Sequence, residues 1–434
     1  MTPTLLETTG FNGRILRPLR RVATILAVVA ILGTSARTVG ADVVVDWNAI
    51  ALSTLGGQNP FFQSRLLSMV HLAVFEAVNA ITRTHQPYLG TIVAPPGASP
   101  EAAAATAAHA VLRAVTTSAA WPGLDDAYQH SLMAIPDGTA KDDGVAIGKA
   151  AATAMLLARE HDGATPLAFA PPGPAEPGTW QSTPGCPPMG AVFANWGSVT
   201  PFGVASAADF VAGPPPALTS RAYAKAYDEV KRVGAMDSLD RTPDRSDVAR
   251  AYAGMSPGYV MNLAARQVVL ERDPSLVDTA RSFALLNMAI NDGFIVTFAT
   301  KYTYNRWRPE TAIHAGDADG NPDTEADAGW APFVFAPCFP SFTSAHAGGS
   351  YAGAEVLRRL FGAGGHDITI THPAFSGLAF SYTTFKAITA DIDDARVYGG
   401  IHFRFDQDTG GRLGRAVADD VIEHKLLPLD GSQP

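Results

Sequence analysis

A chain of 434 residues, 47% apolar and only 17% charged, can bury a large core; this excludes a disordered chain and suits one large domain or two packed halves. A formal charge of −9, with no long basic run to offset it, argues against a general nucleic-acid binder. An anion site in such a chain has to be assembled locally from a few cations.

The first predicted element is an export signal over residues 1–41. Arg14, Arg17, Arg20 and Arg21 form a basic stretch, Val22 to Leu32 is apolar and uncharged, and small residues end in Val39-Gly40-Ala41. This is the order of a secretory signal, and the apolar run is short for a membrane span. An uncleaved anchor is the alternative. No later apolar stretch reads as long enough to span. The expected location is secreted or periplasmic.

The rest of the chain reads as all-α, a series of helices separated by Pro/Gly loops. Val43 to Val45 is the best strand candidate, and it is short. Leu66, Leu67, Val70, Ala73, Val74, Ala77, Val78 and Ile81 recur at helical spacing. Ser99-Pro100-Glu101 is a start signal, with Ser as N-cap and Pro at the first position, for a helix to about Val115. Further helices are expected at 142–160, at 220–233 with Gly234 as C-cap, and from Ser246 to an interruption at Pro257. A long helix follows Pro274-Ser275 and reaches Lys301. Others run from Ser344 to Phe361, from Tyr382 to Asp394 and from Thr409 to Lys425. Residues 171–216 are dense in Pro and Gly without periodicity, as in a long ordered loop or a linker; Trp180, Trp196 and Phe202 favour packing. The expected organisation is a helical half over 42–216, ending in that loop, and a second helical half over 217–434 that carries the chemistry. Cys186 and Cys338 both lie in Pro/Gly-rich loops. An exported chain can pair them, and two free thiols are the alternative.

Three stretches of the second half concentrate cationic and titratable groups. In Lys301-Tyr-Thr-Tyr-Asn-Arg-Trp-Arg308-Pro309, the two cations share one helix face if the helix continues to Pro309. In Phe339-Pro-Ser-Phe-Thr-Ser344-Ala345-His346, Ser344 stands as an N-cap, leaving the first-turn amides of Ala345 and His346 free to hold an oxyanion. In Arg396-Val-Tyr-Gly-Gly-Ile-His402-Phe-Arg-Phe-Asp406, the two glycines allow close backbone approach to a ligand. Asp406, four residues after His402 on a helix, can hold one ring nitrogen and leave the other free. Taken singly, each stretch also has a plain structural reading: a basic helix end, a Ser cap and a core histidine with an ion pair. The acidic turn Asp317-Ala-Asp319-Gly-Asn321-Pro-Asp323 spaces oxygens as a calcium loop does, though its Gly is misplaced for an EF-hand. A solvated turn is the alternative. His314, His366 and His372 show no partners and are not expected in the site.

Together and in this order the three stretches resemble the vanadium-dependent haloperoxidases and the type-2 phosphatidic acid phosphatases. Their pattern is Lys, six residues, Arg-Pro; then Pro-Ser-Gly-His; then Ser-Arg, five residues, His. Here it reads Lys301…Arg308-Pro309, Thr343-Ser344-Ala345-His346 and Ala395-Arg396…His402, with Thr343, Ala345 and Ala395 departing from it. The flanks His71-Leu-Ala-Val-Phe-Glu76, Trp196 to Phe202, Arg308 to Ile313 and Tyr398 to Phe405 are similar to the exported bacterial haloperoxidase-like branch. The resemblance implies an all-α bundle in which Lys301, Arg308, Ser344, Ala345, Arg396 and His402 hold vanadate, with vanadium on His402 and His346 moving protons. It implies hydrogen peroxide, a halide and a small organic acceptor as partners, with halide oxidised to hypohalous acid. It further implies that Phe298 and Phe339 contact the halide and that Asp292 orients an arginine. The alternative it carries is an acid phosphatase, in which His402 takes the phosphoryl group of a phosphate ester as phospho-histidine and His346 protonates the leaving alcohol. A non-catalytic oxyanion binder is a third reading, disfavoured by the two histidines.

Overall fold

The computed structural model describes residues 42–90, 92–375 and 377–431; the export signal read at 1–41 lies outside them. Thirteen α-helices are present among the described residues. The segment expected as a strand is instead the start of α1 (Val43–Thr54). Asp42 caps it by accepting the Val44 amide, and Val44, Val45, Trp47, Ala51 and Leu52 are buried. Packing of that face outweighs the weak strand preference of three valines.

α2 (Pro60–Thr82) and α3 (Pro100–Val115) start at Asn59 and Ser99, whose side chains accept first-turn amides ahead of Pro at the first position. α4 (Trp121–Met133) is unanticipated: it has no side-chain cap bond, and Leu124 is its one buried residue. α5 (Thr139–Ala158) packs on α2 and α3. The Pro/Gly stretch that follows is an ordered loop. It contains the short antiparallel pair β1 (Phe169–Ala170) and β2 (Ala191–Val192), and it buries Trp180, Trp196 and Phe202.

α6 (Arg221–Val233) ends at Gly234 as expected. α7 (Pro243–Gly254) and α8 (Pro257–Arg272) are separate helices: Pro257 is the first residue of α8, behind a Ser256 cap that accepts the Tyr259 amide. α9 (Leu276–Tyr304) is the central helix, buried on every side from Ala280 to Phe298 and packed on α2, α8 and the helices that follow. α10 (Pro309–His314) is one short piece. α11 (Ala345–Phe361) starts at Ser344 and ends at Gly362. A hairpin of β3 (Ile368–Thr371) and β4 (Ala379–Tyr382) precedes α12 (Phe385–Tyr398) and α13 (Arg404–His424).

α2 and α9 are each long and apolar enough to cross a membrane, contrary to the expectation from sequence, but 78% and 94% of their apolar windows are buried within the fold. They are core helices. α11 meets α13 with almost no space between backbones: a Cβ on Gly414 would lie 2.2 Å from the Gly348 carbonyl oxygen. Gly293 of α9 approaches the same carbonyl, where a Cβ would lie 2.9 Å away, so α9, α11 and α13 pack closely together. Cys186 and Cys338 form a disulfide with Cα atoms 5.4 Å apart, tying the Pro/Gly loop to the segment before α11.

The acidic turn is no calcium loop. Asp319 accepts the Asn321 amide and the Thr324 hydroxyl, Asp317 accepts the Ala326 amide, and Asn321 donates its side-chain amide to the carbonyls of Leu218 and Ser220. Asp317, Asp319 and Asn321 are engaged by the turn itself, and no cluster of metal-ligating side chains occurs among the described residues. His314, His366 and His372 likewise serve loops, bonding the Trp330 carbonyl, the Gly362 carbonyl and the amides of Ala374 and Phe375.

Candidate active site

Lys301 and Arg308 do not share a helix face. α9 stops at Tyr304, with Asn305 left-handed at φ 44°, and Arg308 sits in extended backbone ahead of Pro309. A loop gathers the two cations instead. Lys301 Nζ donates to the carbonyls of Pro340 and Ser341 at 2.7 and 2.8 Å, and Arg308 Nε donates to the Phe339 carbonyl at 2.9 Å. Three successive backbone oxygens thus anchor two fully buried cations. The loop is fixed in turn by the Ser341 amide, which donates to the Arg306 carbonyl, and by the Val192 amide, which donates to the Cys338 carbonyl.

His402 lies just before α13, and Asp406 occupies the first turn of that helix. The pairing expected across one helical turn therefore forms between a loop residue and a helix. His402 Nδ1 and Asp406 Oδ2 are 2.9 Å apart, and the same oxygen accepts the Ser341 hydroxyl at 2.6 Å and the Phe403 amide at 3.2 Å. The other ring nitrogen, Nε2, lies 2.9 Å from Arg308 Nη1. A guanidinium only donates, so Nε2 must offer its lone pair and Nδ1 must carry the proton given to Asp406. The imidazole is thereby held in the tautomer of a ligand or nucleophile, with its lone pair facing the cations.

Arg396, in the last turn of α12, donates to the Tyr252 carbonyl at 3.4 Å. Ser344 caps α11 by accepting the Ala347 amide at 3.2 Å, and its own amide donates to the Asp406 carbonyl at 3.0 Å, so the starts of α11 and α13 are joined. The amides of Ala345 and His346 are the first-turn donors that no helix carbonyl can reach. Ala345 fits a regular helix start, so the departure from Gly needs no unusual backbone. His346 is half-buried and hydrogen-bonds the Met255 carbonyl. Gly400, at φ +78°, packs against a neighbouring loop: a Cβ there would lie 2.4 Å from the Gly234 carbonyl oxygen.

Lys301 and Arg308 face the Asp406 carboxylate, and Arg396 lies near both cations. Burial above all, and then the neighbouring Arg308, hold Lys301 well below the usual lysine range. Burial lowers Arg308 to about 9 and Arg396 to about 10. Burial, followed by the arginines and Lys301, keeps His402 and His346 far below the ordinary histidine value, so both are neutral. Burial also raises Asp406 to about 6, opposed by its bond from Ser341 and by Lys301. Arg308 Nη2 and Arg396 Nε are buried without a partner. Excess buried positive charge with donors left over is the signature of a site made for a multiply charged oxyanion.

Of the expected aromatics, Phe298 and Phe339 do pair at the site, with ring centroids 5.1 Å apart and Lys301 Nζ 5.2 Å from the Phe339 centroid. Phe61 and Phe193 complete that cluster. Trp307 is buried in a second core with Tyr223 and Phe403. Asp292 does not hold an arginine by hydrogen bonds: its carboxylate accepts the amides of Phe202, Gly203 and Val204, pinning the Pro/Gly loop to α9. Burial raises it to about 6 against those three bonds. The sequence did not reveal the Ser341 hydroxyl or the accepting carbonyls of residues 252, 255 and 339–341. Ser341 stands three residues before Ser344, but nothing in its residue type marks it as the hydroxyl that shares Asp406.

Residues 281–431 match the family model of the VCPO second helical-bundle domain. That stretch belongs to this domain family, and it carries Lys301, Arg308, Ser344, His346, Arg396 and His402. An alignment of 180 positions, covering 34% of this chain and 29% of the other, is 28% identical to vanadium chloroperoxidase of Curvularia inaequalis. Among solved structures, a bacterial vanadium-dependent iodoperoxidase superposes with a TM-score of 0.77 at 22% identity, over 90% of this chain and 98% of that one. The holo form of a bacterial vanadium-dependent chloroperoxidase gives 0.68 at 18% identity, over 85% and 93%. At these identities the solved structures share this haloperoxidase fold, which is helical as expected.

Proposed function

We propose that the protein is a vanadium-dependent haloperoxidase that uses hydrogen peroxide to oxidise a halide to hypohalous acid. The observation that carries this is the orientation of His402, whose Nε2 lone pair is aimed into a buried cluster of three cations. The residues fit vanadate: Arg308 Nη2 and Arg396 Nε are unpartnered donors, and Lys301, Ser344 and the first-turn amides of α11 complete the set. When bound, vanadate supplies the activation of peroxide for two-electron oxidation of halide. The protein supplies the rest. Arg308, Arg396 and Lys301 neutralise oxyanion charge in a dry site, where such donors act far more strongly than in water. Asp406 keeps the Nδ1 proton in place and so keeps Nε2 available. His346, neutral and half-buried, would take up and return a proton beside the bound oxyanion. Phe298 and Phe339 keep water from the cations and give a soft, polarisable wall for a halide.

A paired assay on purified protein tests this reading. With vanadate, peroxide and iodide or bromide, halogenation of a dye is expected. Without vanadate, hydrolysis of a phosphate ester should be weak. Strong hydrolysis with no halogenation contradicts the proposal and assigns the same His402 and His346 to a phosphatase.

A further inference from the structure

A cleft of about 450 Å³ opens beside the cation cluster. Arg396 and Phe339 are part of its lining, so it adjoins the site. Its other walls are apolar, among them Val192, Val334, Pro337 and Ile401. Phe335, also in the lining, is 62% exposed although it is one of the larger apolar side chains of the chain. Its ring stands against Gly185, where a Cβ would come within 2.8 Å, and the Cys186–Cys338 disulfide fixes both flanking segments. The exposed ring is therefore held on a braced frame. A larger hollow of about 590 Å³ lies near Met255 and Tyr259, but none of the three site cations lines it.

We infer that this cleft binds the organic acceptor, and that the acceptor is a phenol-sized aromatic; the inference rests on the haloperoxidase reading. Volume and lining are those of a small-molecule site, mostly apolar with one polar group that sets orientation. Phe335 and Phe339 offer ring faces, and Arg396 offers charge complementarity to a phenolic oxygen. A ring seated there meets hypohalous acid as it leaves the cations. In that step a ring carbon forms a bond to halogen and the halogen–oxygen bond breaks. The ring carbon loses a proton, which joins the departing hydroxide as water. The ring is oxidised by two electrons and the halogen is reduced.

Binding is tested first, on vanadate-free protein, by saturation-transfer NMR with 4-methylphenol. Saturable binding is expected, weakened roughly three- to tenfold in Phe335→Ala, the range for one lost aromatic contact. Met133→Ala, which removes an exposed side chain on α4, should leave it unchanged. Turnover is tested second. The holoenzyme with 4-methylphenol should show a saturable acceptor KM that rises in Phe335→Ala, and an isomer ratio different from that of reagent hypohalous acid. No saturable binding, or binding indifferent to Phe335→Ala, overturns the inference. An isomer ratio equal to that of the free reagent, with no acceptor saturation, overturns it too. Saturable binding sensitive to Phe335→Ala, together with absent halide oxidation, contradicts the haloperoxidase reading and leaves the aromatic cleft standing.

Discussion

At the scale of single residues, the site depends on a chain of hydrogen bonds that ends on one carboxylate oxygen. Asp406 Oδ2 collects the Ser341 hydroxyl, His402 Nδ1 and the Phe403 amide, and through them fixes the ring whose far nitrogen meets Arg308. Partners that orient a metal-ligating histidine are worth roughly ten- to a hundredfold in affinity. Asp406→Asn keeps the shape but removes the charge and can leave the ring in the wrong tautomer. It is expected to weaken vanadate binding by about that factor while circular dichroism stays native; unchanged affinity in a titration would count against the orienting role. The titratable types Lys301, Arg308, His346, Arg396, His402 and Asp406 were legible in the sequence because their chemistry is rare and their spacing specific. The carbonyls of Phe339, Pro340 and Ser341 were not, because every residue carries one and only the path of the loop decides where it points.

A second residue-scale test concerns pH. His71 is buried in α2, where Asn48 Nδ2 donates to its Nε2 at 2.9 Å and a row of Asn262 and Asn287 extends the network. Burial lowers its pKa to about 3. In the unfolded chain it would titrate near 6.5, so acid is taken up by the unfolded state first. The stability that comes from keeping His71 neutral is complete above pH 6.5 and is lost as pH falls towards 3, at about 1.4 kcal/mol per pH unit. His71→Asn cannot titrate. Between pH 6 and 4.5 the gap in unfolding free energy between wild type and variant should therefore narrow by about 2 kcal/mol. A constant gap in denaturant titrations would contradict a neutral buried His71.

At the scale of elements, the arrangement turns on how closely α9, α11 and α13 approach. Gly414 lies against the Gly348 backbone, and an added methyl has nowhere to go. Gly414→Ala should cost about 1–3 kcal/mol by overpacking, seen as a lower melting temperature, and should reduce activity through the shifted start of α13. Full stability in that variant would show that the helices can separate freely. α3 announces itself through the Ser99-Pro100 cap, whereas the same signal at Ser256-Pro257 reads in sequence as an interruption and is the start of α8. α13 begins five residues earlier than its periodicity suggests, because its first turn is filled by site residues and not by an apolar face. α4 was invisible for want of a cap and a buried stripe, and the β3–β4 hairpin because four residues of alternation are too few to stand out. The Val43 segment misled because local strand preference is weaker than the burial of Trp47 and Leu52 on the same helix.

At the scale of the whole molecule, an acidic chain of net charge −9 collects Lys301, Arg308 and Arg396 in its interior around a single carboxylate. Burying that charge destabilises the fold unless an anion joins it, so binding and folding are linked. The Pro/Gly loop, held by Asp292 from α9 and by the disulfide at Cys338, packs Phe193 against Phe298 and Phe339 beside this cluster. The most direct test is to titrate vanadate into the purified protein and follow melting temperature and binding heat together, in wild type and in His402→Ala. One saturable site should raise the melting temperature of the wild type, with affinity falling more than tenfold in the variant. No shift in the wild type, or equal binding in His402→Ala, would contradict an oxyanion pocket completed by His402.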